Sequence, residues 1–289
     1  MTTLAIRESA TPRRRKNGRF KEANTVVAHA FMAVLGFVMA FPFLWQLIMS
    51  LSTNNEVTGV PPTLWPKVLQ WQNYVNAFTV LPFAHQMWVT IQITIIVNVA
   101  HVIFATMAGY AFARMSFPFK EPLFYVVIAV LMIPGQVFIL PVYQIIQSLN
   151  LLNTIAGIVL PGLISAFGVF LMRQFFETIP VELEEAARLD GANSWQVFTK
   201  VMLPLTAPGI SALVVLGILD SWNDLLWPLI VATGDQNQPI SVGLATLQGD
   251  TGTDYVTMMA ASFMAMAPIL ILFIFMQRRV LEGITFVSK

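Results

Sequence analysis

The sequence predicts an all-α membrane protein with six transmembrane helices, and three observations carry that prediction. Of its 289 residues, 56% are hydrophobic and 11% charged, with a mean hydropathy of +0.71. An ordinary soluble domain carries about 25% charged residues, so these are too few to cover a water-facing surface. Six stretches are apolar over the roughly 20 residues that a bilayer crossing requires. Lysine and arginine then alternate between the connecting segments in step with six crossings. This composition, with a net charge of only +1, argues against a soluble domain, a disordered chain and a nucleic-acid-binding protein.

The first span is expected at Thr25–Leu51, behind a basic tail of residues 1–24 that holds Arg7, Arg13, Arg14, Arg15, Lys16, Arg19 and Lys21. That apolar stretch is span-length and no small-residue cleavage site follows it, so it is not read as a secretory signal. The arginine run beside it reads as an orientation anchor. Ser52–Gln86 is polar and aromatic. Pro61, Pro62, Pro66 and Pro82 predict a loop with short helices there, with Trp65 and Trp88 as interface-belt residues. The remaining spans are expected at Met87–Met115, Pro122–Tyr143, Leu152–Phe176, Leu205–Ala232 and Met258–Leu281. Seven basic residues then precede the first span, five lie in inner loops (Arg114, Lys120, Arg173, Arg188, Lys200) and three at the C-terminal end (Arg278, Arg279, Lys289). Only Lys67 falls outside. By the positive-inside rule both termini are cytoplasmic, and the outer loops, with Glu56, Asp235, Asp250 and Asp254, are mildly acidic.

Several chemistries lack their residues. There is no cysteine, and the three histidines His29, His85 and His101 lie far apart, so no metal site is expected. No lysine follows a glycine, so the phosphate-binding GxxxxGK[ST] loop is absent. The sequence holds no nucleophile elbow, no HExxH and no paired catalytic carboxylates with a histidine.

One inner connection is long. Thr178 to Pro204 concentrates Glu182, Glu184, Glu185, Arg188 and Asp190 within nine residues. The segment predicts helix, turn, helix. Pro180 suits the first helical position, Gly191 a left-handed cap, and Asn193 with Gln196 a capping box. Glu184 and Arg188, at i and i+4, are expected to pair on the exposed side. Ala186, Ala187 and Gly191 are small and let another surface approach.

The string Glu185-Ala186-Ala187, three residues, Gly191, nine residues, Val201-Met202-Leu203-Pro204 resembles the EAA loop of integral permease subunits of bacterial ABC importers. Arg188-Leu189-Asp190-Gly191-Ala192 and Pro208 also fit. Trp222-Asn223-Asp224 with Trp227-Pro228 resembles the span-five segment of the sugar-importing branch, and Gln277-Arg278-Arg279 with Gly283 its C-terminal pattern. The likeness covers essentially the whole chain and is nearest the smaller permease of maltose-type importers. The short C-terminus after Gly283 departs from it, and no contact between that tail and an ATPase is assumed.

The resemblance implies the ABC-importer permease (type I importer) fold with a cytoplasmic EAA coupling helix, in the bacterial inner membrane. It implies a separate cytoplasmic ATPase dimer that binds ATP and Mg, a second homologous permease, and an extracytoplasmic sugar-binding protein. This chain itself then needs no cofactor. Transport is expected to proceed by alternating access, with Glu184, Glu185, Ala186, Ala187, Asp190 and Gly191 as the ATPase-coupling residues. Gly191→Asp is expected to uncouple transport through added bulk.

Ionisable groups inside spans are functional candidates. Asp220 and Asp224, four apart, are expected on one helical face with Gly217 and Ser221, with Asn223 and Trp227 on the next face. With Trp222 they form a patch that lines the pathway, or meets the partner permease, or sits near the outer water layer. Asn98 and His101 read as interhelical hydrogen-bond partners. Pro134-Gly135 and Pro141, then Pro161 and Gly168, are expected to bend spans three and four. Within the same class the cargo is alternatively a polyamine or another solute; a secondary transporter is the reading outside it.

Overall fold

The computed structural model describes the backbone of residues 18–61, 63–248 and 254–287, and the side chains of 25–61, 63–234, 236–248 and 254–275. Residues 1–17 of the basic tail, and the side chains of Arg278, Arg279 and Lys289, lie outside it. The regular elements among the described residues are all helices, and the chain divides into two units, Met1–Leu47 and Ile48–Lys289.

Helix α1 (Gly18–Ser50) runs through the described part of the first unit. Its apolar side chains from Val26 to Leu44 are exposed, the condition of a helix whose solvent is lipid. Phe37, Phe41 and Trp45 follow one another at i, i+4 spacing, with ring centroids 6.4 and 6.1 Å apart.

The second unit begins with two short helices, α2 (Asn54–Thr58) and α3 (Gln72–Val80). The sequence Thr53-Asn54-Asn55-Glu56 builds a reciprocal capping box on α2. Asn73 Nδ2 donates to Ser50 O and Ser52 O, both at 2.9 Å, which folds this segment back on itself. Asp254 accepts from Asn54 Nδ2 at 2.8 Å and from Thr257 Oγ1 at 2.6 Å, and so starts the last helix. Burial opposes ionisation of Asp254, but bonds from Thr257, Asn54 and the Val256 amide outweigh it and hold the carboxyl below its usual range. The Thr53 and Lys67 amides lower Glu56 in the same way.

Then come α4 (Phe83–Arg114), α5 (Lys120–Met132), α6 (Ile139–Ser148), α7 (Ile155–Val159) and α8 (Ala166–Glu177). The 178–204 segment contributes α9 (Glu182–Leu189). It is followed by α10 (Ala207–Asn223), α11 (Leu226–Val231), α12 (Ile240–Thr246) and α13 (Tyr255–Val287). Helix α4 is the hub, packed against α8 on one side and α10 on another. Ala105 and Tyr110 of α4 meet Met172 and Phe176 of α8 with Phe198 and Met202 in the core. A Cβ on Gly109 would lie 2.7 Å from Met172 Cβ and 2.9 Å from Arg173 N, so the two backbones approach as only glycine permits.

Four described helices are long and apolar enough to cross a membrane, and the number is six when each of two bent pairs counts as one span. Spans three and four, expected as single helices, are broken. Lys120–Met132 and Gly135–Ser148 meet at 95°, at Pro134-Gly135 as expected; Ile155–Gly162 and Ala166–Glu177 meet at 44°. The second break follows Pro161 and not Gly168, which lies inside α8 and packs on Ala105 and Leu213. Pro141 falls in the first turn of α6, where its missing N–H breaks no bond.

Candidate functional site

Two regions hold the residues singled out in the sequence. The first is the 178–204 segment. Helix α9 ends in a complete Schellman motif: Gly191 N donates to Arg188 O and Ala192 N to Ala187 O, both at 3.0 Å, with Gly191 at φ +84°. Among the described residues, its chain neighbours aside, no atom lies within 4 Å of a Cβ built on Gly191. Bulk there meets nothing internal, and the cost of a side chain is the positive φ. Asn193 and Gln196 form the expected capping box, with both bonds at 2.9 Å. The helix starts two residues later than expected, with Val181 as its cap and Pro180 outside. Beyond Gln196 the second helix contains a π-helical stretch, Val197–Met202, with no recognisable sequence signal.

Glu184 corrects the expected surface pair with Arg188. It is buried, and its Oε1 lies 3.5 Å from Arg114 Nε at the end of α4. Arg114 Nη2 donates to Phe176 O at 2.6 Å and also to Ile179 O. Phe176 O is in the last turn of α8, where it also accepts from Ile179 N at 3.3 Å, and Ile179 lies just past the helix end. Ala187 packs half-buried against the core. Glu182, Glu185, Ala186, Arg188 and Asp190 are exposed, and so are the apolar Leu189, at 89%, and Trp195, at 63%. The segment therefore has an anchored inner edge and an outer face that mixes charge with uncovered apolar surface.

The second region is a cavity of about 790 Å³ where the helices break. Its polar lining includes His101, Gln136, Asp220, Asn223, Asp224 and Trp227, with the hydroxyls of Thr90 and Ser221. No lysine or arginine lines it among the described residues. The expected arrangement on span five needs correction. Helix α10 stops at Asn223, and Asp224 is extended at φ −65° and ψ 118°. Helical spacing therefore does not relate Asp220 to Asp224, nor Asn223 to Trp227; the cavity brings these four together instead. Gly217 packs on the Asn98 amide of α4. Ser221 accepts from Asn98 Nδ2 at 3.3 Å, so it ties α10 to α4 while also lining the cavity. Trp222 leaves the patch altogether: it is buried, with Nε1 donating to Ala265 O of α13 at 3.3 Å.

The breaks themselves explain several polar side chains. A proline removes the N–H that would serve the carbonyl four residues earlier. Pro161 leaves Gly157 O without its helical donor, and Trp227 Nε1 supplies one at 3.3 Å, with Ile158 O at 3.1 Å. Asp224 O lies in the break between α10 and α11, outside both helices, and Ser241 Oγ donates to it at 2.7 Å. His101 Nε2 lies 2.6 Å from Gly162 O; since the carbonyl only accepts, that nitrogen carries the proton. The interhelical role expected of Asn98 and His101 is what the structure has. A separate groove of about 530 Å³ between α4, α10 and α13 is nearly all apolar, with Thr94 and Asn98 its polar side chains.

This fold recurs in a solved bacterial ABC transporter involved in the import of the acidic polysaccharide alginate. The TM-score is 0.77 at 23% identity, over 93% of this chain and 99% of that one. Residues 101–284 match the family described as binding-protein-dependent transport system inner membrane component. The chain belongs to that family. It is similar to the arabinooligosaccharides transport system permease protein AraQ of Halalkalibacterium halodurans, at 35% identity over 88% of this chain and 92% of the relative. It is also similar to the sn-glycerol-3-phosphate transport system permease protein UgpE of Agrobacterium fabrum, at 31% over 91% and 97%. The lactose transport system permease protein LacG of Rhizobium radiobacter is 27% identical over 89% and 94%. Both regions described above fall largely within the matched residues, from His101 on α4 to α13.

Proposed function

We propose that this permease forms the transmembrane pathway of an ATP-driven importer that brings a sugar or oligosaccharide into the cytoplasm by alternating access. The observation that carries the proposal is the family match over residues 101–284, which contains both an exposed loop helix and a polar cavity. The cargo class draws on relatives named for arabinooligosaccharides and lactose. It also draws on the cavity, whose carboxylates, amides and indole suit hydroxyl groups and the apolar face of a sugar ring.

In this reading both termini are cytoplasmic, and the face of α9 that carries Glu185, Ala186, Asp190 and Gly191 docks a separate ATPase dimer, which binds ATP and Mg. Leu189 and Trp195 add apolar surface to that contact. A second, homologous permease closes the pathway, and an extracytoplasmic binding protein delivers the cargo. Closure of the ATPase pair moves α9, and the coupling rests on a contact that differs between two states.

The test is purification of the chain from its native membrane in mild detergent, with identification of what accompanies it. An ATPase and a second six-span protein are expected with the wild type, and Glu185→Lys is expected to lose the ATPase. A chain that purifies alone, with uptake indifferent to ATP, ends the reading. Asp220 and Asp224, with no lysine or arginine beside them among the described cavity residues, favour one second reading, a cationic solute such as a polyamine. Competition of neutral sugars against polyamines for uptake separates the two.

A further inference from the structure

Besides the apolar core that Ala187, Phe198 and Met202 share with α4 and α8, the 178–204 segment has two directional routes into the membrane helices. One runs along the chain, through the π-helical stretch Val197–Met202 into α10. The other runs across it, through Arg114. We infer that the cross route carries the motion, and that Arg114 is the positioning residue joining α9 to α4 and α8 so that the three move as one body. The inference rests on the reading that α9 docks an ATPase.

One guanidinium meets all three elements. Arg114 ends α4, its Nη2 serves Phe176 O and Ile179 O at the end of α8, and its Nε faces Glu184 of α9 at 3.5 Å. The side chains of Arg114 and Glu184 are 13% and 8% exposed. Arg114 Nε and Glu184 Oε1 are buried atoms with no hydrogen-bond partner among the described residues. Separating them leaves two buried charges unpaired. Glu184 is also the one buried charged residue of α9, whose other charges are exposed. A lever held at an interior point by such a pair transmits displacement to whatever holds the other charge. Beside it, Arg173 of α8 bonds Glu177 at 2.8 Å, approaches Glu121 of α5 at 3.7 Å, and lies 3.7 Å over the Phe124 ring. That second junction extends the moving body from α8 to α5. The only positive-φ residue in the 178–204 segment, Gly191, lies just beyond α9, on the chain-following route.

The experiment uses the assembled importer in lipid. Solute moved per ATP hydrolysed is measured for wild type, Arg114→Gln and Glu184→Gln; in the last the guanidinium still serves the α8 carbonyls. The chain has no cysteine, so spin labels at Met115→Cys, which caps α4, and Leu183→Cys in α9, both exposed and outside the docking face, report the separation of the α4 end from α9. Wild type is expected to keep one separation with and without trapped nucleotide. Both variants are expected to retain the ATPase in the complex, to change separation between the two states, and to lose about tenfold in solute per ATP.

A wild-type ratio in either assembled variant overturns the inference, as does a wild-type separation that changes with nucleotide. If Arg114→Gln does not assemble, Glu184→Gln alone decides. If no ATPase accompanies even the wild type, it is the docking reading that fails. The label separation in the chain alone, compared between wild type and Glu184→Gln, then still decides whether α4 and α9 form one body: equal separations and equal widths overturn it.

Discussion

The two regions handle buried polarity in opposite ways. At the end of α4, charge meets charge out of water: Arg114 and Glu184 pair, and the spare donors of the guanidinium close the end of α8. At the helix breaks, neutral donors from neighbouring helices serve carbonyls left without a helical donor, while Asp220 and Asp224 line the cavity. The first arrangement resists displacement because separating a dry ion pair costs about 3–5 kcal/mol. The second is a set of exchangeable bonds worth about 1 kcal/mol each. A protein that must move a pathway from one end benefits from both: a stiff handle and compliant walls.

The contrast is open to measurement. Arg114→Ala is expected to destabilise the most, by about 3–5 kcal/mol, since it strands Glu184 and uncaps α8. Thermal unfolding in detergent, followed by tryptophan fluorescence, reads this, and a loss under about 1 kcal/mol would erase the distinction between the regions. Trp227→Phe keeps the ring but returns Gly157 O to its orphan state. Its cost is about 1–3 kcal/mol, and it should appear as faster hydrogen exchange in α7 and leave α8 unchanged. Gly191→Ala puts a side chain at φ +84° with no steric neighbour, for roughly 1–2 kcal/mol; Gly191→Asp is expected to cost the same in the isolated chain and to show its further effect only in the complex. Asp220→Asn should leave the melting point almost in place, within about 0.5 kcal/mol, while altering uptake.

The smallest effect belongs to the segment around α2. Glu56 and Asp254 are both held below the usual carboxylate range. Their contribution is complete above the unfolded pKa, about 4, and is lost as pH falls through the lower folded values. Protease cleavage between Thr53 and Lys67, compared at pH 7 and below pH 4, is expected to rise only in acid. A rise that begins above pH 5 would contradict the assignment.

Much of this protein is legible without coordinates. Apolar length and charge alternation predict the spans, because a bilayer admits few alternatives to helices that satisfy their own backbone. Local capping chemistry is equally readable: Gly191 takes the left-handed cap, and Asn193 with Gln196 the box, because those bonds join residues three to five apart. Pro134 and Pro161 mark the breaks for the same local reason.

What only the tertiary structure decided is which polar group meets which. Glu184 looks like a surface partner of Arg188 until α9 is laid against the end of α4, 70 residues away. Trp222 and Trp227, five apart, serve carbonyls on different helices, Ala265 of α13 and Gly157 of α7. Asp220 and Asp224 share a cavity although the helix that would have aligned them stops between them. In a span, side chains have no bulk water to satisfy them, so each donor takes the acceptor that packing brings near, and packing is a property of the whole fold.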